Sequence, residues 1–220
     1  MKLVRTMTDE GWLVASEGPK YSLGLKPFHF SSKPVNRMDA RDAAEGPLRE
    51  LWHSTGCCTF LSILDGYKSL CVIHHDSMTP ARLGGQIGER YPLHATAPGK
   101  VLLAYRSDEF TSEMAKNEGL ARFTAHTICT LPELRKNLEQ VRKDGYALDL
   151  QEAMEGGICF TVPIFNYENA VVAAAGVTIL TLYSTPKKMV EEIGPLVQKA
   201  GKRISEALGW TGGGIAQYPA

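Results

Sequence analysis

The stretch "YPLHATAPGKVLLAY" (residues 91–105) places a turn with small side chains directly before an apolar run that predicts a helix. The first peptide N–H groups of a helix have no partner within the helix and carry the positive end of its dipole, so they can bind an anion. Pro98 suits the first helical position but has no N–H group. We therefore expect a bound anion to depend on Ala97, Gly99 and the Thr96 hydroxyl.

Cys159 is the candidate nucleophile, because cysteine catalysis needs a histidine base and an acid that orients it. His94 and Asp149 are residues of those types. Nothing in the sequence brings the three together, and cysteines on buried strands are commonly unreactive. We expect no catalytic residue, and a Cys159-dependent small-molecule enzyme is kept as the alternative.

Metal and nucleotide binding have weaker support. His74, His75 and Asp76 are of the right types for zinc, but neighbouring strand residues point to opposite faces and cannot easily bind one ion. The Ala-Pro-Gly-Lys turn is similar to the end of a phosphate loop, which requires serine or threonine where Val101 stands. We predict neither a metal nor a cofactor.

Composition restricts the class of protein. The chain has 220 residues, of which 44% are hydrophobic, enough for a sizeable core in one or two domains. Lysine plus arginine equals aspartate plus glutamate at 24 each, so no overall basic field indicates a nucleic-acid coat. The five cysteines form no C-x-x-C pair, and no apolar stretch has the length of a membrane span. We expect a soluble cytoplasmic protein with reduced thiols and no membrane partner.

The first 30 residues predict a short helix and two strands, at 12–15 and 20–23, joined by a Glu17-Gly18 turn. A helix followed directly by a β-ribbon is the arrangement of a winged helix. Thirty residues cannot bury a core alone, so this segment is interpreted as the end of a larger unit. Residues 31–40 are interpreted as a linker.

The remaining pattern predicts an α+β domain, with an antiparallel sheet and helices on one side. Hairpins are expected to turn at residues 65–66 and 167–169. A helix is expected over residues 131–144, capped by Thr130 and ended by Gly145. A long closing helix is expected to be kinked or divided at its proline, Pro195.

Two motifs, "YPLHATAPGKVLLA" and "DGYALDLQEAMEGGICFTVPIFNYENAVVAAAGVTI", resemble the effector-binding domain of IclR-type transcriptional regulators. They occur in the family's order, and the resemblance covers about residues 41–209. It implies a GAF-like or profilin-like domain, an antiparallel sheet flanked by helices. Residues 1–30 resemble the end of the family's winged helix-turn-helix, and residues 210–220 are expected to form a flexible tail.

The resemblance implies that a small effector binds between the helix start, an acidic loop and the hairpin strands. Gly176 stands where relatives often carry serine, which enlarges the expected site and favours a sugar acid or an aromatic acid. The implied site residues are Ala97, Pro98 and Gly99 at the helix start, Asp149, Gly157 and Cys159 on the polar wall, Gly176 and Thr178 on the last strand, and Tyr91 and Leu83 as an apolar cover.

The implied function is a transcriptional regulator that binds a small organic acid and acts as a homodimer or homotetramer. Operator DNA is the expected partner of an intact full-length form, and Lys2 and Arg5 are the implied DNA-binding residues. Residues 1–30 carry a net charge of only +1, and the family's leading recognition-helix turns are not in this sequence. We therefore expect the 220-residue chain not to bind operator DNA specifically. A stand-alone metabolite-binding module is a further alternative.

Overall fold

The computed structural model describes residues 2–16, 20–27, 39–79 and 85–212. The chain divides into two compact units, Met1–Asp39 and Ala40–Ala220. Among the described residues, no helix is both long enough and apolar enough to cross a bilayer.

The first unit contains the predicted helix and ribbon. Helix α1 (Lys2–Asp9) precedes strands β1 (Leu13–Ala15) and β2 (Tyr21–Leu23), which pair antiparallel. Gly11 has a φ of 73°, a left-handed conformation that glycine adopts without strain, and it ends the helix before β1. The predicted Glu17-Gly18 turn lies outside the described residues.

The second unit is built on an antiparallel sheet that confirms the predicted α+β class. Its described strands lie in the order β5-β4-β3-β8-β7-β6. They are β3 (Cys58–Asp65), β4 (Lys68–His75), β5 (Arg90–Pro92), β6 (Ala147–Leu150), β7 (Gly157–Phe165) and β8 (Val171–Leu180). Both predicted hairpins are present, because β3 pairs with β4 and β7 with β8.

The helices of the second unit pack on both faces of the sheet, so the predicted one-sided arrangement was wrong. They are α2 (Asp39–Thr55), α3 (Ala97–Ala104), α4 (Asp108–Glu118), α5 (Leu131–Asp144) and α6 (Gly194–Ala207). On β7, Phe160 and Val162 lie against α6, whereas Cys159 contacts the core cluster of α3, α4 and α5. Because alternate strand residues face opposite sides, a strand with apolar residues in both sets can carry helices on both faces.

Local signals account for the helix ends. Thr130 accepts the Glu133 N–H at the start of α5, and Gly145 ends it with a φ of 72°. The predicted closing helix is divided into a helical turn (Pro186–Lys188), a π-helical stretch (Met189–Ile193) and α6. Pro195 lies in the first turn of α6, directly after the π-helical stretch, so the predicted division at this proline is present.

Candidate functional site

Four neighbouring strands bring one residue each into the same row of the sheet. Asp149 on β6 pairs with Cys159 on β7, Cys159 pairs with Thr178 on β8, and Thr178 pairs with Cys58 on β3. Directly paired residues of antiparallel strands present their side chains to the same face. We call these four residues the polar rung.

The polar rung lines a cavity of about 400 Å³, a volume typical of small-molecule sites. Six residues predicted from the sequence line it: Tyr91, Pro98, Asp149, Gly157, Cys159 and Thr178. Thr96, whose hydroxyl was expected to help hold an anion, lines it as well, and the structure adds Cys58, Phe60, Ser62, Cys71, His74, Gly85, Glu89, Pro92, Phe123, Ala153 and Met154. None of these described residues is lysine or arginine.

Asp149 is the buried carboxylate of this cavity, with 4% of its surface exposed. One carboxylate oxygen, Oδ1, accepts the N–H groups of Glu152 at 2.7 Å and Ala153 at 3.4 Å. The other has no hydrogen-bond partner among the described residues. Burial raises the pKa of Asp149 to about 6, and the Glu152 carboxylate acts in the same direction, whereas the Glu152 N–H and the Lys100 ammonium oppose the shift.

Lys100 stabilises the loop beside the cavity, a role that was not predicted from the sequence. It is only 1% exposed, and its ammonium pairs with the buried Glu152 carboxylate of the β6–β7 loop. The same loop is held from the other side, where the Thr127 hydroxyl donates to the Glu152 carbonyl at 2.7 Å. A buried charge without a partner is costly, so a lysine inside the apolar run of α3 was a signal that a buried acid exists elsewhere.

The start of α3 differs from the predicted anion cradle. The Gly99 N–H donates to the Thr96 hydroxyl at 3.2 Å, so this N–H already has a partner. A side chain at Gly99 would come within 2.5 Å of the Leu93 backbone, and close packing therefore explains why this turn has small residues. Ala97 is fully buried, and neither it nor Gly99 lines the cavity, whereas Pro98 and Thr96 do.

Gly176 has a packing role that contradicts the expected enlargement of the site. It does not line the cavity, and an added Cβ would lie 2.4 Å from the Phe160 carbonyl and 2.9 Å from the Phe60 ring. The ring of Phe60 therefore fills the space above Gly176. Leu83, predicted as part of the cover, lies outside the described residues.

Tyr91 contributes a hydroxyl as well as the predicted apolar surface. The hydroxyl donates to Oε2 of Glu89 at 2.5 Å, and the same oxygen accepts the Gln86 N–H at 3.1 Å. Burial, followed by this hydrogen bond, raises the pKa of Tyr91. Tyr91 is therefore a neutral donor at neutral pH, already occupied by Glu89.

The arrangement of Cys159 does not match the alternative enzyme site. Its thiol lies 3.0 Å from the Thr178 hydroxyl, and burial raises the pKa of the thiol well above its ordinary value. His94 is engaged with the Ala121 carbonyl at 3.0 Å and does not line the cavity. A cysteine nucleophile needs a lowered pKa and an adjacent base, and Cys159 has neither among the described residues.

His74 and His75 face opposite sides of the sheet, as predicted. The His74 ring lies 3.7 Å from the Cys58 thiol of the polar rung. The His75 ring contacts the Thr59 hydroxyl at 2.9 Å, and Thr59 faces α2. His74 is therefore a wall residue of the cavity, and His75 belongs to the other face.

Comparison with known proteins supports the family resemblance. Residues 32–206 match the family model described as the bacterial transcriptional regulator IclR C-terminal domain. The HTH-type transcriptional regulator XynR of Escherichia coli (strain K12) is 34% identical over 209 residues, covering 94% of this chain and 82% of that protein. The crystal structure of Thermotoga maritima IclR has a TM-score of 0.81 and 27% identity, covering 95% of this chain and 84% of that one.

A third relative carries a ligand. The structure of a double mutant of the PobR inducer-binding domain from Acinetobacter, a complex with 3-hydroxybenzoic acid, has a TM-score of 0.68 and 27% identity and covers 74% of this chain and 96% of that one. The family-model match extends over most of the chain, and the sequence relative exceeds 30% identity. The chain therefore belongs to the IclR family of ligand-responsive transcriptional regulators.

Proposed function

We propose that the cavity beside the polar rung binds a small organic acid, and that binding changes how the regulator binds operator DNA. The observation that carries this proposal is Asp149, a buried carboxyl group with one oxygen unpaired in a cavity of about 400 Å³. Asp149 lines the cavity, so a ligand hydroxyl group there could donate to the oxygen that accepts no hydrogen bond from the described residues.

The ligand of a family relative supports an acid as the class of effector, and two features of the site allow an acid to bind. Pro98 lines the cavity at the start of α3, the positive end of that helix dipole. Asp149, with a pKa of about 6, can take up a proton when an anion approaches, so the two acids need not repel each other. The ligand in the PobR relative is a hydroxy-substituted aromatic acid, which supports the same class.

We propose binding without turnover. The Cys159 thiol is neutral because burial raises its pKa, and it contacts Thr178 and not a base. The site residues assigned to binding are Tyr91, Pro98, Asp149, Gly157, Cys159 and Thr178. Ala97 and Gly99 are assigned to packing at the helix start.

For DNA binding, we propose that residues 1–30 are part of a winged helix, residues 31–40 a linker and residues 41–209 the effector-binding domain. Lys2 and Arg5 lie exposed on α1, which is followed by the β1–β2 ribbon. Effector binding would act through the arrangement of protomers in a homodimer or homotetramer, with a coupling of about 1–3 kcal/mol. Sedimentation equilibrium with and without effector measures that assembly.

A thermal-shift screen of organic acids on the 220-residue chain tests the proposal. A bound effector at about 100 times its Kd adds about 2.7 kcal/mol of stability. We expect Asp149→Asn to remove this shift, whereas Glu155→Gln, an exposed acid on the same loop, should keep it. The assignment of the cavity would be wrong if the Asp149 variant responded to every acid as the parent protein does.

A further inference from the structure

The cavity is bordered by two large apolar side chains that are exposed to solvent. Phe123, on the loop between α4 and α5, has 50% of its surface exposed, and Met154, on the β6–β7 loop, has 45% exposed. Of the large hydrophobic residues that are exposed in the described part of the chain, these two alone line the cavity. A side chain that lines a cavity and also reaches solvent marks the boundary between the two. We call Phe123 and Met154 the apolar rim.

Hydrogen bonds join the two loops that carry the apolar rim. The Thr127 hydroxyl, on the loop of Phe123, donates to the Glu152 carbonyl, on the loop of Met154, at 2.7 Å. The same hydroxyl oxygen accepts the Phe123 N–H at 3.0 Å. The Glu152 N–H in turn donates to Asp149 at 2.7 Å. The backbone of the rim is therefore fixed relative to the carboxyl group that the proposed function assigns to the effector.

The apolar rim lies outside the described core. Leu120 and Ile128 are on the same loop as Phe123 and pack against the core cluster of α3, α4 and α5, whereas Phe123 is not part of that cluster. Its ring contacts the His94 ring, with the two centroids 5.8 Å apart. Apolar surface in contact with water is unfavourable, so a ligand that covers the two rim side chains gains affinity from both.

We infer that Phe123 and Met154 cover the bound effector and set the rate at which it leaves the cavity. The inference rests on the proposed function, because it concerns the same cavity. Contact with the effector removes apolar surface of both rim side chains from water, and this contact must be broken before the effector is released. The cover also excludes water from the hydrogen bond between the effector and Asp149, which is stronger in a less polar environment.

Rate constants test this role, with 3-hydroxybenzoate and gluconate as the probes. Surface plasmon resonance on the immobilised 220-residue chain measures association and dissociation separately. For a probe that binds, we expect Phe123→Ala to raise the dissociation rate constant by about tenfold and Met154→Ala by about fivefold, because contacts made after the encounter act mainly on dissociation. The association rate constant should change by less than about twofold. Phe123→Leu and Met154→Leu keep most of the apolar surface and should release the probe within about threefold of the parent rate.

Tyr167→Ala is the matched control. Tyr167 is an exposed aromatic residue in the turn between β7 and β8, with 72% of its surface exposed, and it does not line the cavity. Its substitution should leave both rate constants unchanged. Without ligand, Phe123→Ala and Met154→Ala should each lower the Tm by no more than about 2 °C, because about half of each side chain is already in solvent.

The outcomes separate this inference from the proposed function. If neither probe binds the parent protein, the role of the apolar rim is overturned, and the thermal-shift screen decides the proposed function by itself. If a probe binds equally well to Asp149→Asn, both proposals fail. If binding needs Asp149 but the alanine variants of the rim release the probe as slowly as the parent does, only the role of the rim is overturned. Equal increases in both rate constants also overturn it, because the side chains would then obstruct entry without contacting the effector.

Discussion

Helices α3 and α5 begin with the same local sequence, a threonine cap followed two residues later by proline. They differ in how the charge at the helix start is balanced. In α5, Glu133 lies in the first turn, where its carboxylate offsets the positive end of the dipole and accepts the Thr130 hydroxyl at 2.6 Å. In α3 the equivalent position is Gly99, and no acid lies in the first turn. Lys100 follows it, and its balancing acid, Glu152, comes from the β6–β7 loop.

The difference shows what each helix start does in the fold. The start of α5 is complete by itself and is exposed to solvent, so it needs nothing from the rest of the chain. The start of α3 is buried and depends on a loop that also holds Asp149 through the Glu152 N–H. The β6–β7 loop thereby connects the charge of Lys100 on α3 to the protonation of Asp149 in the cavity.

The largest expected effect on stability comes from breaking the ion pair between Lys100 and Glu152. Lys100→Met leaves the Glu152 carboxylate buried without its cation, and we expect the free energy of unfolding to fall by about 3–5 kcal/mol. Lys136→Met, an exposed position on α5, should change it by less than about 0.5 kcal/mol. Urea unfolding with constant m-value measures both.

The double variant Lys100→Met/Glu152→Gln sharpens this result. If the loss comes from the uncompensated charge, the second substitution should recover a large part of it. A double variant that is less stable than Lys100→Met alone would mean that Glu152 stabilises the loop by its hydrogen bonds and not by pairing with Lys100.

Much of the fold could be predicted because its signals are local. Asp65-Gly66 marks the first hairpin, where Gly66 has a φ of 58°, and Thr130 and Gly145 mark the ends of α5. The helix arrangement on two faces was missed because it depends on which residues of β7 each helix covers. That information lies in the packing of distant segments.

The residues that line the cavity also divide into those with a local signal in the sequence and those that depend on the pairing of distant segments. Asp149 and Cys159, which line the cavity, were predicted through the family resemblance, and they lie in one motif. Cys58 and Ser62 were not found, because they reach the cavity only through the pairing of β3 with β8, far apart in the sequence. Gly99 and Gly176 were assigned to the ligand, whereas their small size serves contacts with the Leu93 backbone and the Phe60 ring.

A second prediction concerns the pH dependence of stability. The carboxyl group of Asp149 is held by the same loop that pairs with Lys100 of α3, and its pKa is shifted. The pKa of Asp149 in the folded protein, about 6, is above its ordinary value of 3.8, so folding favours the protonated form. The resulting contribution to stability is fully present below pH 4 and is lost as the pH rises through 6. Asp149→Asn cannot ionise and should therefore be more stable than the parent at pH 8, by up to about 3 kcal/mol, with no difference at pH 4.

Urea unfolding at pH 4, 6 and 8 measures this difference. Asp144→Asn, at the exposed end of α5, serves as the control and should behave as the parent does across the range. A gain in stability for Asp149→Asn that is equal at pH 4 and pH 8 would contradict the link to ionisation.

The smallest expected difference compares the two threonine caps directly. Thr96 accepts the Gly99 N–H and donates to the Pro92 carbonyl at 2.9 Å, so Thr96→Ala removes two hydrogen bonds from a buried turn. We expect a loss of about 2 kcal/mol, against about 1 kcal/mol or less for Thr130→Ala, where solvent replaces the lost partner. Serine at either position keeps the hydroxyl and should restore most of the stability. Equal losses at the two caps would mean that burial of the α3 start does not increase the contribution of its threonine cap to stability. The two helix starts would then differ in sequence and in burial, but not in the free energy that their caps provide.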